Sequence, residues 1–373
     1  MSALRVWTVD GLPLKPSAWV FRVAHNKLMS ELRQRSHRQR LLEREATGDI
    51  ESVAFSTEPA FDQEVHDDLL RMLFVCCDDR IPEPAQLVLA LKILCGFDIT
   101  EISHRLFATE ATIYKRLSRA REQLRQLPLT TDSPAAEQYA TRLPSVRKVL
   151  YLLFTEGHLS SRATIAIRRE LCDDAIRLTT LLAEHRIGDS PESAALLALM
   201  HFHAARINAR HNHSGGLLLL DEQDRSEWDQ AHIQSGLIWL ARSARGDSFS
   251  RYHCEAVIAA EHCLAPSFRE TRWDKVVEAY ALLERTTPSP LHRLNRAVAM
   301  AEWQGPAAGL AILDDAAPPT WLEGYYLWAA VRADLHRRSG HVDLAAQFRS
   351  AALDGAPSDI VRELLRRRLL QAD

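Results

Sequence analysis

The chain has 373 residues, a net charge of −3 and six cysteines, so it is too long for a disulfide-stapled miniprotein and has no global positive field to attract nucleic acid. Apolar residues make up 46% of the chain, which is ordinary for globular proteins. The cysteines lack zinc-site spacing, and the richest apolar run, Leu87 to Cys95, is interrupted by Lys92 and is shorter than a membrane span. We therefore expect a cytoplasmic protein with reduced thiols, no membrane association, no metal and no cofactor.

Hydrophobic periodicity predicts an all-α fold. Apolar residues recur at helical spacing along most of the chain, and no segment shows sustained alternation bounded by hairpin turns. Turn signals and charge divide the chain into four predicted parts: residues 1–45, an acidic linker over residues 46–64, a helical block over residues 65–127, and a helical C-terminal part over residues 134–373.

The first part is basic and the linker that follows it is acidic. Between Pro16 and Arg44 there are seven Arg or Lys side chains and two Glu. Between Ala46 and Glu83 the balance reverses, with ten Asp or Glu side chains and two Arg. Local patches, rather than the whole chain, are therefore where we expect nucleic acid to bind.

The helical block has the spacing of a helix-turn-helix. Asp98 and Glu101 form a capping-box pattern that opens a short helix, and Thr109 caps the next helix. In that next helix we expect an inward stripe of Ile113, Leu117, Ala120 and Leu124. Its outer face is basic and carries Lys115, Arg116, Arg119, Arg121 and Arg125. A short helix, a tight turn and a basic amphipathic helix are typical of a motif that enters the DNA major groove, although a solvated basic face on an ordinary bundle helix has the same pattern.

The residues themselves favour the first interpretation. Glu101 to Leu106, followed by Thr109 to Leu124, resembles region 4 of bacterial RNA polymerase sigma factors of the extracytoplasmic-function class. The resemblance implies that the helix capped by Thr109 reads the −35 promoter element and that the region docks on the polymerase β-flap. It also implies DNA contacts by Thr109, Thr112, Lys115, Arg116, Arg119 and Arg121. Phe107 stands where most of these motifs have Gly, so we expect a differently shaped turn.

The basic segment from Leu12 to Arg33 resembles the end of sigma region 2, which captures the −10 element. The resemblance implies contacts with the unpaired strand by Trp19, Arg22, Asn26, Lys27, Arg33 and Arg35. The alternative is that Trp19 belongs to a core and that the arginines lie on a solvated helix end. Few residues precede this match, so we expect the upstream helices of region 2, including the one that grips the polymerase β′ clamp, to be missing, through a late start, a fragment or natural variation.

The C-terminal part resembles the tetratricopeptide-like extension of one subgroup of these sigma factors. The resemblance lies in the stretches Tyr151–His158, Leu171–Leu178 and Leu219–Asp229. An internal repeat supports it independently, because Gly305 and Gly340 are 35 residues apart, close to the 34-residue period of such repeats. In the second copy Ala345 allows close helix packing, whereas the first copy has Leu310 there. Stacked repeats of this kind form a concave surface that we expect to bind a protein partner.

Two polar groups in this part leave other functions open. Paired carboxylates suit acid–base catalysis, but a dense polar cluster is more often a loop brace, as we expect for Glu222, Asp224, Arg225, Trp228 and Asp229. Two His-x-His pairs could bind metal, but residues two apart on a helix face away from each other; they are His201, His203, His211 and His213. We therefore expect a non-enzymatic sigma factor that binds promoter DNA and core polymerase. The alternative is a tetratricopeptide-type interaction scaffold with a vestigial DNA-binding module.

Overall fold

The computed structural model describes residues 67–126, 136–160, 167–210, 216–315, 319, 322 and 325–370. Within these ranges the chain forms fifteen α-helices, two short 3₁₀ helices and no β-strand, which confirms the predicted all-α fold. The basic segment of residues 1–45 and the acidic linker of residues 46–64 lie outside the described residues.

The first four helices are α1 (Asp68–Cys76), α2 (Glu83–Ile93), α3 (Ile99–Arg105) and α4 (Glu110–Gln126). Helix α1 begins where the Asp67 carboxylate accepts hydrogen bonds from the backbone N–H groups of the first turn. The sequence predicts one apolar stripe on α2, but every residue from Ala85 to Leu91 is buried. The reason is that α2 lies at the centre, where α1, α3, α4 and α5 all pack against it.

The remaining helices pack mainly against their neighbours in the chain. Their bounds are α5 (Ala136–His158), α6 (Arg169–Glu184), α7 (Pro191–Ala205), α8 (Gln230–Ser243), α9 (Arg251–Leu264), α10 (Trp273–Thr286), α11 (Pro290–Gln304), α12 (Pro306–Asp314), α13 (Tyr326–Arg338), α14 (Val342–Asp354) and α15 (Asp359–Leu370).

The two predicted glycine positions each join a helical hairpin. Gly305 connects α11 to α12 with a φ of 94°, and Gly340 connects α13 to α14 with a φ of 77°, a backbone region that favours glycine. In the first hairpin the close approach is made by Gly309, where a Cβ would lie 2.6 Å from the carbonyl oxygen of Ala297. Gly309 therefore supplies the small residue of the first repeat copy, one position before Leu310, which aligns with Ala345 of the second copy.

One hydrophobic core joins the helix-turn-helix block to the C-terminal part. Phe74 and Ile113 from the first four helices belong to the same buried cluster as Val146 and Leu178 from α5 and α6. Arg142 of α5 strengthens the junction, because its Nη2 lies 2.6 Å from the buried Asp78 carboxylate. The predicted boundary between residues 65–127 and 134–373 is therefore crossed by a continuous core, so the two parts do not pack as separate bodies.

The last helices return toward earlier parts of the chain. In α15, Arg367 donates to the carboxylate of Glu222 at 2.9 Å. Tyr325, just before α13, packs edge-on against the ring of Phe107 with 6.0 Å between ring centroids. The first contact ties α15 to the polar residues around Glu222, and the second packs the segment before α13 against the turn that contains Phe107.

No helix in the described ranges has both the length and the apolar character needed to cross a bilayer. All six cysteines are free thiols. Burial raises the pKa of Cys76 and Cys95 to about 12, so these thiols stay protonated and unreactive near neutral pH.

Candidate nucleic-acid interface

The first helix of the motif, α3, begins at the predicted capping box. The backbone N–H of Glu101 donates to Oδ1 of Asp98 at 2.7 Å, and the Asp98 N–H donates back to Oε2 of Glu101 at 2.6 Å. These two reciprocal bonds satisfy backbone donors that the helix itself leaves unpaired. The start of α3 is therefore fixed by residues only three apart in sequence.

The turn between α3 and α4 keeps a left-handed residue. Phe107 has a φ of 46°, and its ring is 57% exposed. Gly adopts this conformation without steric cost. The turn therefore keeps the backbone conformation of a Gly-containing turn although the residue is Phe, contrary to our expectation of a differently shaped turn. Thr109 then begins α4, because its hydroxyl accepts from the backbone N–H of Thr112 at 3.3 Å.

The inner face of α4 holds the helix against the core. Ile113 and Ala120 are fully buried, Leu117 is nearly so, and Leu124 packs partly buried against the same cluster. This stripe is the predicted one, and it orients the opposite face of α4 toward solvent.

The outer face of α4 carries the predicted basic residues. Lys115, Arg119 and Arg121 are exposed, and Arg116 is half-buried. None of these four forms a hydrogen bond or ion pair with the part of the chain that the structure describes. Arg125 differs, because it pairs with Glu122 at 3.2 Å. These four cationic side chains therefore lie around the solvent-facing side of α4 without a partner among the described residues, where phosphates can reach them.

Thr109 and Thr112 lie at the N-terminus of α4, with their hydroxyl oxygens 2.9 Å apart. Sequence reasoning missed Tyr114, whose ring is 58% exposed on this same helix. Each residue of a helix is rotated by about 100° from the one before it, so residue 114 lies off the buried stripe that contains Ile113. Periodicity alone was therefore enough to predict that Tyr114 is exposed. An exposed tyrosine beside Lys115 adds an apolar surface with a hydroxyl to the basic face.

Helix α3 is anchored to the C-terminal part by buried ion pairs. Nε of Arg105 lies 2.6 Å from Oε2 of the fully buried Glu156 in α5. Nη1 of Arg168 lies 2.8 Å from Oε1 of Glu101. These pairs tie α3 to the rest of the molecule, because breaking a buried ion pair is costly.

The residues predicted for the −10 side all lie outside the described residues: Trp19, Arg22, Asn26, Lys27, Arg33 and Arg35. The structure therefore brings together only the six predicted contacts of α4 and its cap.

The polar cluster of the C-terminal part has bracing contacts. Glu222 accepts from Arg367, and Arg225 donates to the backbone carbonyls of His262 and Ala265. Asp224 caps the second 3₁₀ helix and Asp229 caps α8. These carboxylates are occupied by structural bonds, as expected for a loop brace.

The histidine pair on α7 is separated by the helix as predicted. His201 lies 2.9 Å from His232, Nδ1 to Nδ1, whereas His203 packs against His158. His211 and His213 lie outside the described residues. Among the residues that are described, no three His, Cys, Asp or Glu side chains are arranged to hold a metal ion.

The fold and this surface define an all-α protein in which α3 and α4, joined by a short turn, present a basic solvent-facing side of α4. Residues 142–244 match a family of unknown function, DUF6596. The chain is 32% identical over 339 residues to the uncharacterized protein R00370 of Rhizobium meliloti (strain 1021), with 91% of this chain and 79% of that protein aligned. The chain belongs to the same family as that protein. No solved structure matches it.

Proposed function

We propose that this protein is a sigma factor of the extracytoplasmic-function class, which directs bacterial RNA polymerase to promoters in the cytoplasm. The observation that carries the proposal is the solvent-facing side of α4, where Lys115, Arg116, Arg119 and Arg121 form no ion pair with the residues that the structure describes. Basic side chains without internal partners on the second helix of a helix-turn-helix are what phosphate binding requires. In this role α4 reads the −35 element and the protein performs no chemistry of its own.

Each part of the interface has its own task in this proposal. The arginines of α4 neutralise phosphates and so supply affinity. Thr109 and Thr112 lie at the helix N-terminus, from which base edges are usually reached. The basic segment that includes Arg22 and Lys27 contacts the −10 element, and the polymerase β-flap is the docking partner of the helix-turn-helix block.

The DNA-binding step can be tested with one matched pair of variants. Arg119 on α4 and Arg285 on α10 are both exposed, and neither forms an ion pair with the described residues. Duplexes enriched by the wild-type chain from a random pool are titrated at several salt concentrations by fluorescence anisotropy. We expect Arg119→Ala to weaken binding and to reduce the salt slope by about one unit, the share of one phosphate contact.

Arg285→Ala removes the same charge from a distant helix and is expected to leave the affinity and the salt slope unchanged. Equal losses of affinity in the two variants would mean that only the net charge of the protein matters. That result would contradict a DNA contact by α4. The polymerase role is tested separately by run-off transcription with the full chain and core polymerase. Initiation by the wild-type chain, lost in Arg116→Ala/Arg119→Ala, is the expected result.

The second candidate function is a protein-interaction scaffold. The hairpins α11–α12 and α13–α14 favour it, since each is a helix pair joined at a glycine, the unit from which tetratricopeptide-like arrays are built. A wild-type chain that neither enriches any duplex nor supports transcription would favour the scaffold over the sigma factor.

A further inference from the structure

A group of basic side chains lies inside the C-terminal part, on helices other than those of the helix-turn-helix. His158 ends α5, and its ring centroid lies 4.8 Å from that of His203 in α7. The guanidinium carbons of Arg206 and Arg225 lie 5.7 Å and 4.4 Å from the ring centroid of Trp228. We call this group the arginine–histidine cluster; its members are His158, His203, Arg206, Arg210, Arg225 and His262.

Arg206 lies within electrostatic reach of every other member. Burial, followed by the charge of Arg206, lowers the pKa of Arg210 to about 10 and that of His262 to about 3. Burial and Arg206 also hold the pKa of His203 well below its usual range. The histidines are therefore neutral near pH 7, and the guanidiniums supply the positive charge.

The three arginines have no carboxylate partner in the described part of the chain. Arg210 donates to the backbone carbonyl of His158 at 2.5 Å, and Arg225 donates to the carbonyls of His262 and Ala265. Glu270 attracts Arg225 only from beyond ion-pair distance. By contrast Arg142, which is buried, pairs with Asp78 at 2.6 Å. Guanidiniums that are partly withdrawn from water without an anion are also costly, so three together need an explanation.

Polar atoms without partners concentrate at the same place. Apart from Trp228, which is buried, the side chains around Arg206 keep part of their surface accessible to solvent. Six buried atoms here have no hydrogen-bond partner: Nε2 of His158, Nδ1 of His203, Nε of Arg206, Nη2 of Arg225, Nε1 of Trp228 and Nδ1 of His262. Three of these atoms, on Arg206, Arg225 and Trp228, can only donate, and unpaired donors indicate a ligand that supplies acceptors.

We propose that the arginine–histidine cluster binds an oxyanion with two negative charges, namely a phosphate group. A single carboxylate would offset one guanidinium and leave the others unpaired. A phosphate dianion offsets more of the charge and offers several acceptor oxygens to the planar guanidinium donors. Five of the six members fall within residues 142–244, the segment that matches the family of unknown function.

Two sources of this group are possible, namely inorganic phosphate and a phosphorylated small molecule. Isothermal titration calorimetry of the full chain with sodium phosphate, with glucose 6-phosphate and with adenosine 5′-monophosphate distinguishes them, and glucose and adenosine serve as controls without the phosphate group. Saturable heat with at least one phosphate compound and none with the controls is the expected result. Absence of saturable heat with all three phosphate compounds would overturn the proposal.

Arg206→Met tests whether the cluster is the site. It removes the central charge while keeping an unbranched side chain, and we expect it to weaken phosphate binding by about tenfold or more, the effect of losing a charge-assisted hydrogen bond. Arg285→Met, on the exposed side of α10, is the matched control and is expected to bind as the wild type does.

Thermal unfolding gives a second readout. Without phosphate, Arg206→Met is expected to have a Tm equal to or above that of the wild type, because it removes a buried, unpaired charge; with phosphate only the wild type gains. Equal gains in both would be a general salt effect and would overturn the proposal. Should Arg206→Met fail to fold, Arg206→Gln provides the same comparison with a neutral, polar replacement.

Discussion

Nη1 of Arg168 donates to Oε1 of Glu101 at 2.8 Å, while Oε2 of the same carboxylate accepts from the backbone N–H of Asp98 at 2.6 Å. One side chain therefore both caps the first helix of the helix-turn-helix and bonds to the C-terminal part. Glu101 is 3% exposed, so both bonds act away from bulk water, where they are strong and where losing one is costly. Any function of α4 is thereby coupled to the position of residues around Arg168.

Arg168→Met is expected to lower the free energy of unfolding by about 3–5 kcal/mol, because it removes the guanidinium that pairs with the buried Glu101 carboxylate. Urea denaturation followed by circular dichroism measures the loss. Arg125→Met is the control, since Arg125 pairs with Glu122 on the exposed side of α4 and should cost less than about 1 kcal/mol. Similar losses in the two variants would contradict a structural role for the buried pair.

Because Phe107 has a left-handed backbone conformation, we expect Gly to be more stabilising than Ala at this position, the reverse of the usual order in a helix. Comparing Phe107→Gly with Phe107→Ala removes the ring, and with it the Tyr325 contact, from both proteins, so the difference reports the backbone alone. We expect the Gly variant to be more stable by about 1 kcal/mol, since Ala at positive φ is strained. At the exposed helical position 111, Ala111→Gly should show the usual opposite order. A more stable Ala variant at position 107 would be inconsistent with φ of 46°.

His201 predicts a loss of stability in mildly acidic solution. Burial, and secondarily His232, lowers the pKa of His201 to about 4, whereas an unfolded histidine titrates near 6.5. Below about pH 6.5 the unfolded chain binds this proton before the folded one does, so the contribution of His201 is lost as the pH falls toward 4, by up to about 1.4 kcal/mol per pH unit. Unfolding free energies of His201→Gln should fall less steeply in this window.

The control for that comparison is His104→Gln, which removes an exposed imidazole from α3 and is expected to keep the wild-type slope. A wild-type slope in His201→Gln as well would show that this imidazole is protonated equally in both states.

Gly309→Ala is expected to destabilise the α11–α12 hairpin by about 1–3 kcal/mol, because the added methyl would meet the Ala297 carbonyl oxygen at 2.6 Å and the helices must separate. Differential scanning calorimetry should show a lower Tm. Ala311→Ser on the exposed side of the same helix is expected to change the free energy by less than about 0.5 kcal/mol. A Tm for Gly309→Ala at or above the wild-type value would rule out close packing at this glycine.

The sequence alone determined the features that depend on neighbours within one or two helical turns. The helical class, the Asp98–Glu101 capping box and the inner stripe of Ile113, Leu117 and Ala120 were all predicted, because cap chemistry and periodicity act over three or four residues. The basic outer face of α4 followed from that same periodicity, since residues opposite a buried stripe face solvent. Tyr114 was within reach of the same reasoning.

Only the tertiary structure decided which distant residues meet. Arg168 is 67 residues from Glu101, and nothing in the local pattern of either residue marks the other as its partner. The core shared between Ile113 and Val146 crosses a segment that the sequence marks as a boundary. Unpaired donors collect around Arg206 because the packing brings helices α5, α7 and α9 together there. No carboxylate of the described residues pairs with the arginines of this group. Burial and pairing are properties of the assembled chain, and a linear pattern of residue types does not contain them.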